Sequence, residues 1–190
     1  MKISTQGMID IIGREGICLS PYLDSVGVWT IGAGQTKSDG IDPAHMGKIT
    51  VDEAISIFKM KLKQYTDAVD AENTYHQNAM TQFQYDALAS ACYNFGPGNL
   101  HQLCRHRTLE QIGAAIMLYT RPPEITARRH QEQTLYLKGI YSNPHGQVLL
   151  FPVTASHRPD YHHGSNIDIR PYFASPMPAN APTANNDIAD

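Results

Sequence analysis

The chain is poor in everything that would tie it covalently or hold it in a membrane. Its three cysteines (Cys18, Cys92, Cys104) stand far apart with no C-x-x-C pair. That excludes a disulfide-dense scaffold and fits a reduced compartment, with a single bridge left open. No apolar run approaches the ~20 residues of a membrane span. The segment Met1–Gly13 offers only Met8-Ile9 and Ile11-Ile12, interrupted by Asp10, which makes a poor secretory signal. Basic charge is scarce too: Lys+Arg total 15 against 18 Asp+Glu, a formal net charge of -3, so no positive field draws the chain to nucleic acid or to an anionic membrane. What is present, 42% hydrophobic and 17% charged residues, is ordinary for a globular protein long enough to bury a core.

Periodicity divides the chain into a short β region and a longer helical one. Ile3, Met8, Ile11 and Ile12 fall on one side of a predicted helix over 4–14, with Gly13 and Gly16 at its end and Glu15 at or just past the terminus. Pro21, Gly27, Gly32 and Gly34 punctuate a stretch rich in Tyr, Val, Trp and Ile, which predicts a small antiparallel sheet over 21–36. Loop follows over 37–49. Three threonines then open helices as capping boxes: Thr50-Val51-Asp52-Glu53, Thr81-Gln82-Phe83-Gln84 and Thr108-Leu109-Glu110-Gln111. Pro122 and Pro123 end the third and start a last helix, which stops at Gly139. A small sheet followed by helices reads as α+β. Residues 140–173 read as an appendage, extended or forming one short hairpin, and 174–190, rich in Ala, Pro, Asn and Asp, as a flexible tail.

The chemistry is concentrated in one stretch. Glu15, Asp24 and Thr30 stand in the order E-x8-D-x5-T, the last third broken by glycines. Two carboxylates held apart are the usual equipment for cutting a glycosidic bond, one giving a proton to the leaving oxygen and the other handling water or the sugar cation.

Four separate places carry a resemblance to the phage-type lysozymes, the T-even and lambdoid endolysin family (glycoside hydrolase family 24). Glu15-Gly16 with Tyr22-Leu23-Asp24 and Val26-Gly27-Val28-Trp29-Thr30-Ile31-Gly32-Ala33-Gly34 resembles the catalytic stretch. Ile49 to Ala54 resembles the start of the long joining helix. Thr81 to Leu88 followed by Tyr93-Asn94-Phe95-Gly96-Pro97-Gly98 resembles a helix and the turn after it, and Arg128-Arg129-His130-Gln131-Glu132 a late R-R-x-x-E helix.

The resemblance implies a sheet-bearing N-terminal lobe and a mostly helical C-terminal lobe with a cleft between them, in a lysozyme domain over 1–139. It implies hydrolysis of the β-1,4 link between N-acetylmuramic acid and N-acetylglucosamine in peptidoglycan, with Glu15 as general acid, Asp24 as second carboxylate and Thr30 as third member. Glu15 must then hold its proton near neutrality while Asp24 stays ionised. An inverting reaction would leave about 6.5 to 9.5 Å between the carboxyls for a water. Tyr93 and Asn94 fall where family members contact sugar, and Arg128 or Arg129 where one pairs with the acid or bridges the lobes. One departure stands out: Gln35 occupies the place of a histidine in the family's G-x-G-H. It can hydrogen-bond near the substrate but cannot carry charge.

No cofactor or metal is expected, since two carboxylates and a water suffice. His157, His162 and His163 read as solvated side chains, Trp29 as core, and Cys18 as a buried thiol. The implied biology is a monomer that gathers in the host cytoplasm and reaches the periplasmic wall through a holin-type pore. Rival readings are a delivered antibacterial effector with the same chemistry, a non-catalytic wall-binding module, and a transglycosylase that leaves an anhydro sugar.

Overall fold

In chain order the computed structural model, which describes residues 1–174, runs α1 (Thr5–Glu15), β1 (Cys18–Leu23), β2 (Trp29–Gly32), β3 (Gln35–Thr36), α2 (Val51–Tyr75), α3 (Gln82–Phe95), α4 (Pro97–Cys104), α5 (Leu109–Ala115), α6 (Thr126–Lys138), β4 (Gln147–Leu150), β5 (Ser165–Asp168) and a final turn of helix, α7 (Pro171–Ala174). The architecture is α+β. The expected tail, from 175 onward, lies outside the described residues.

The helix starts follow from their hydroxyls. Thr81 Oγ1 accepts from the Gln84 amide at 3.3 Å while Gln84 Oε1 accepts from the Thr81 amide at 2.8 Å. Thr108 and Gln111 repeat this at α5, and Thr50 and Glu53 at α2. Each box satisfies two amides that the helix itself leaves orphaned. Two elements differ from the expectation. Gly96-Pro97-Gly98, read as a turn, starts α4: Gly96 reverses the chain at φ 85°, and Pro97 as first helical residue has no N–H to waste. The helix from Thr108 does not run to Pro122. It stops at Ala115 and tightens into a 3-10 turn, the Tyr119 amide reaching back three residues to the Ile116 carbonyl.

The chain forms two compact units, Met1–Arg14 with Leu62–Gly146, and Glu15–Lys61 with the segment from Gln147. In the first, α3 lies along α6, and Tyr85, Leu88, Cys92, Leu100, Leu103, Ile112, Ile116 and Leu135 make one dry cluster. Burying each of the aliphatic members stabilises by roughly 1.5–3 kcal/mol. Buried Asp86 ties the N-terminus and residue 141 to α3. It accepts from the Ser4 amide (3.0 Å), the Ser4 hydroxyl, Gln82 Nε2 (2.8 Å) and the Tyr141 hydroxyl (2.7 Å).

The second unit holds the antiparallel sheet β1-β2-β3. Cys18 pairs with Gly32 and Tyr22 with Thr30, and the register slips between them. Pro21, which has no amide to give to a ladder, sits inside the slip. The segment from Gln147, read from sequence as an appendage, folds onto β1: the Ile17 amide bonds to Leu149 O (2.9 Å) and the Phe151 amide to Ile17 O (3.0 Å). Cys18, Tyr22 and Phe151 form the small core of this side. β4 and β5 pair antiparallel, Gln147 opposite Asp168.

Candidate active site

Glu15 is the last residue of α1 and half-buried. Gly16 ends the helix at φ 72°, a conformation that favours glycine. A Cβ there would also sit 3.0 Å from the Phe151 ring and 3.1 Å from Leu149 O, so both the turn and the close approach of the returning chain require this residue. Asp24 lies just past the other end of β1, in the loop to β2. Its Oδ1 accepts from the Val26 amide (3.0 Å) and the Val28 amide (2.8 Å), while its own amide and carbonyl bond to Val28 O (3.0 Å) and Gly27 N (3.1 Å). Among the described residues nothing donates to Oδ2. The loop therefore fixes one oxygen and presents the other.

Thr30 sits in β2 directly across from Tyr22, nearly buried, and its hydroxyl donates to Val28 O at 3.0 Å. With the proton committed, the oxygen lone pairs remain as acceptors. Tyr22 lies across the strand pair from Thr30. Burial is the main reason its phenol titrates far above the ordinary range, and the charges of Tyr161, Cys18, Asp24 and Glu15 push it the same way.

Gln35, expected beside substrate, is instead wholly enclosed: its Oε1 accepts from the Ala33 amide at 2.8 Å and its Nε2 donates to Ala33 O at 3.3 Å. It holds the β2–β3 turn shut from within, while Lys61 Nζ caps the outside through Gly34 O (2.7 Å) and Asp39 (3.2 Å). A buried amide spent this way can shape the site but offers no surface to a sugar. Trp29, expected as core, is half-buried with the His157 ring edge-on at 5.1 Å. His163 pairs with Asp160 at 2.8 Å. The returning chain and β1 enclose a recess of about 420 Å³ lined by Leu19, Ser20, Lys48, Phe151 and His163, and neither Glu15, Asp24 nor Thr30 lines it.

The other four expected residues belong to the first unit. Exposed Asn94, near the end of α3, accepts through Oδ1 from Arg129 Nη2 at 2.6 Å. Tyr93 tilts against Tyr65, ring centres 5.0 Å apart. Arg129 is fully buried, and desolvation lowers its pKa from the usual value. It faces Glu132 Oε2 at 3.1 Å, an ion pair whose angle is too poor for a hydrogen bond. Arg128 Nε meets Glu132 Oε1 at 3.1 Å, and the Ser90 hydroxyl donates to that oxygen at 2.7 Å. R-R-x-x-E is thus one buried charge cluster around Glu132, which the sequence pattern did not indicate as its centre.

Residues 13–120 match the family model described as phage lysozyme. Over 147 residues the chain is 31% identical to the endolysin of Salmonella phage P22, an overlap covering 72% of this chain and 99% of that protein. The chain belongs to the phage lysozyme family. Among solved structures, the endolysin from Escherichia coli O157:H7 phage FAHEc1 superposes with a TM-score of 0.62 at 26% identity, covering 74% of this chain and 96% of that one. The muramidase domain of SpmX from Asticaccaulis excentricus gives 0.60 at 26% identity, covering 72% and 98%. This phage lysozyme is accordingly a glycoside hydrolase with the lysozyme-like fold. Glu15, Asp24, Thr30, Gln35, Tyr93 and Asn94 fall inside the matched span; Arg128, Arg129 and the segment from Gln147 fall beyond it.

Proposed function

We propose that this lysozyme is an endolysin-type muramidase that hydrolyses the β-1,4 bond between N-acetylmuramic acid and N-acetylglucosamine in peptidoglycan, with Glu15 as general acid and Asp24 as general base. The observation that carries the assignment is the placement of two carboxylates on either side of β1, Glu15 closing α1 before it and Asp24 in the loop after it with Oδ1 held by two amides, inside the span that matches the family. Glu15 gives its proton to the leaving glycosidic oxygen as the C1–O bond breaks. A water adds to C1 from the other face, and its proton passes to the unbonded Asp24 oxygen. The Thr30 oxygen, an acceptor once its own proton is given to Val28, holds the second hydrogen of that water. Attack from the far face inverts the β linkage to an α product. Asn94, held by Arg129, and Tyr93 are proposed to take part in glycan binding, and Gln35 to keep the β2–β3 turn in place. The lysozyme domain is proposed to extend over 1–139, acting as a monomer released from the host cytoplasm by a holin-type pore.

The deciding experiment is digestion of purified peptidoglycan with muropeptide analysis, alongside Glu15→Gln and Asp24→Asn. Wild type is expected to release fragments with ordinary reducing muramic acid ends. Losing a general acid or base costs about 10²- to 10⁴-fold, so both variants should stop clearing permeabilised cells while their circular dichroism stays native. Clearing by Glu15→Gln at the wild-type rate, or anhydro ends in the products, would overturn the reading.

A further inference from the structure

We infer that the returning segment Leu149–Arg158 is a positioning clamp on β1 that sets where Glu15 and Asp24 stand, and that Arg158 is its working residue at the Asp24 end. The inference rests on the roles proposed above for those two carboxylates. It concerns residues beyond the family's matched span, which ends at 120.

The segment grips β1 at both ends. Near Glu15, the strand-like pairing of Leu149 and Phe151 with Ile17 (2.9 and 3.0 Å) fixes the backbone two residues past the acid, and Gly16 is the residue that lets the two chains approach. Toward the Asp24 end, the Phe151 ring stands edge-on to Tyr22 with centres 5.7 Å apart. At the far end the Leu23 amide bonds to His157 O at 2.7 Å. Arg158 Nη1 donates to Asp24 O at 2.5 Å and reaches Leu23 O at 3.4 Å.

Arg158 is itself held by a tight loop. Thr154 Oγ1 accepts from the Arg158 amide (3.1 Å), the Thr154 amide bonds to Arg158 O (2.8 Å), and His157 turns the chain at φ 57° with its ring against Trp29. Both bonds leave one guanidinium nitrogen, which the rigid planar group holds between the two carbonyls; a lysine ammonium could reach a carbonyl but on a flexible stem. The clamp therefore acts on the backbone of the Asp24 loop and leaves the carboxylate bonded by Val26 and Val28.

The test uses the full chain with Arg158→Ala, Arg158→Lys and Asp24→Asn. Small misplacement of a catalytic group costs up to about 100-fold. Arg158→Ala is therefore expected to lower kcat on peptidoglycan by roughly 10-fold with KM within about 2-fold, and Arg158→Lys to recover part of it. Amide hydrogen exchange at Val26 and Val28 should quicken in Arg158→Ala and partly recover in Arg158→Lys, while exchange in α3 stays as in wild type. Unchanged kcat and unchanged exchange in Arg158→Ala would overturn the clamp. So would a fall in kcat with exchange at Val26 and Val28 untouched, which would make Arg158 a substrate contact. Asp24→Asn separates the two readings: if it stays active the base assignment falls, while the exchange data still decide the clamp.

Discussion

Cys92 and Cys104 are wholly buried, and burial pushes both thiols up to about 12, with the Glu72 charge adding to the rise at Cys104. Cys18 is raised as well by burial, and all three are free thiols. The sign is simple. A thiol whose pKa is higher folded than the ~8.5 of an open chain favours the fold while it stays protonated, and that stabilisation is lost as pH rises above the unfolded value toward the folded one. A thiol reagent at pH 8 should therefore label the native protein slowly and label all three cysteines once urea unfolds it. Urea midpoints should also fall between about pH 8.5 and 11. Rapid labelling of native Cys92 would contradict the packing. At this scale the proposed catalytic set of Glu15, Asp24 and Thr30 could be picked out because one short stretch holds them. Arg158 was not, because nothing local marks it: its partner Asp24 lies 134 residues earlier. Gln35 was legible as a departure from a pattern, but its enclosure depends on the β2–β3 turn closing around it, which spacing alone does not reveal.

Among the elements, α3 and α6 carry the clearest link from residue type to stability. Thr81→Ala removes the acceptor for the Gln84 amide and should cost about 1 kcal/mol. Gly139→Ala should cost more. Gly139 ends α6 at φ 68°, and a methyl there would stand 2.9 Å from the Phe83 ring; left-handed backbone alone costs roughly 1–2 kcal/mol for a non-glycine residue. Urea unfolding with an unchanged slope would measure both, and equal midpoints for the two variants would refute the ranking. Capping boxes and the stop at Gly139 could be read in advance because a helix end is a local hydrogen-bond problem. α4 hid behind Gly96 and Gly98, although Pro97 at a helix start was a readable sign. β4 and β5 were harder: a long connection separates the paired residues, and Val148 and Ile167 meet only through tertiary folding.

For the molecule as a whole, the charge of -3 sets the terms of its encounter with a wall that itself bears carboxylates. Without a positive field there is no long-range attraction for salt to screen. Clearing rates on permeabilised cells at pH 7 should thus change by less than about 2-fold between ~20 and ~150 mM salt; a steep fall with salt would reveal a guiding basic face. The order of synthesis bears on the same molecule. Ile17 and Leu23 leave the ribosome well before the backbone groups they bond to, which belong to Leu149, Phe151 and His157. Pairings so distant in sequence form late. A nascent chain that has not yet reached Leu149 therefore carries Glu15, Asp24 and Thr30 on a β1 still missing three of its backbone partners.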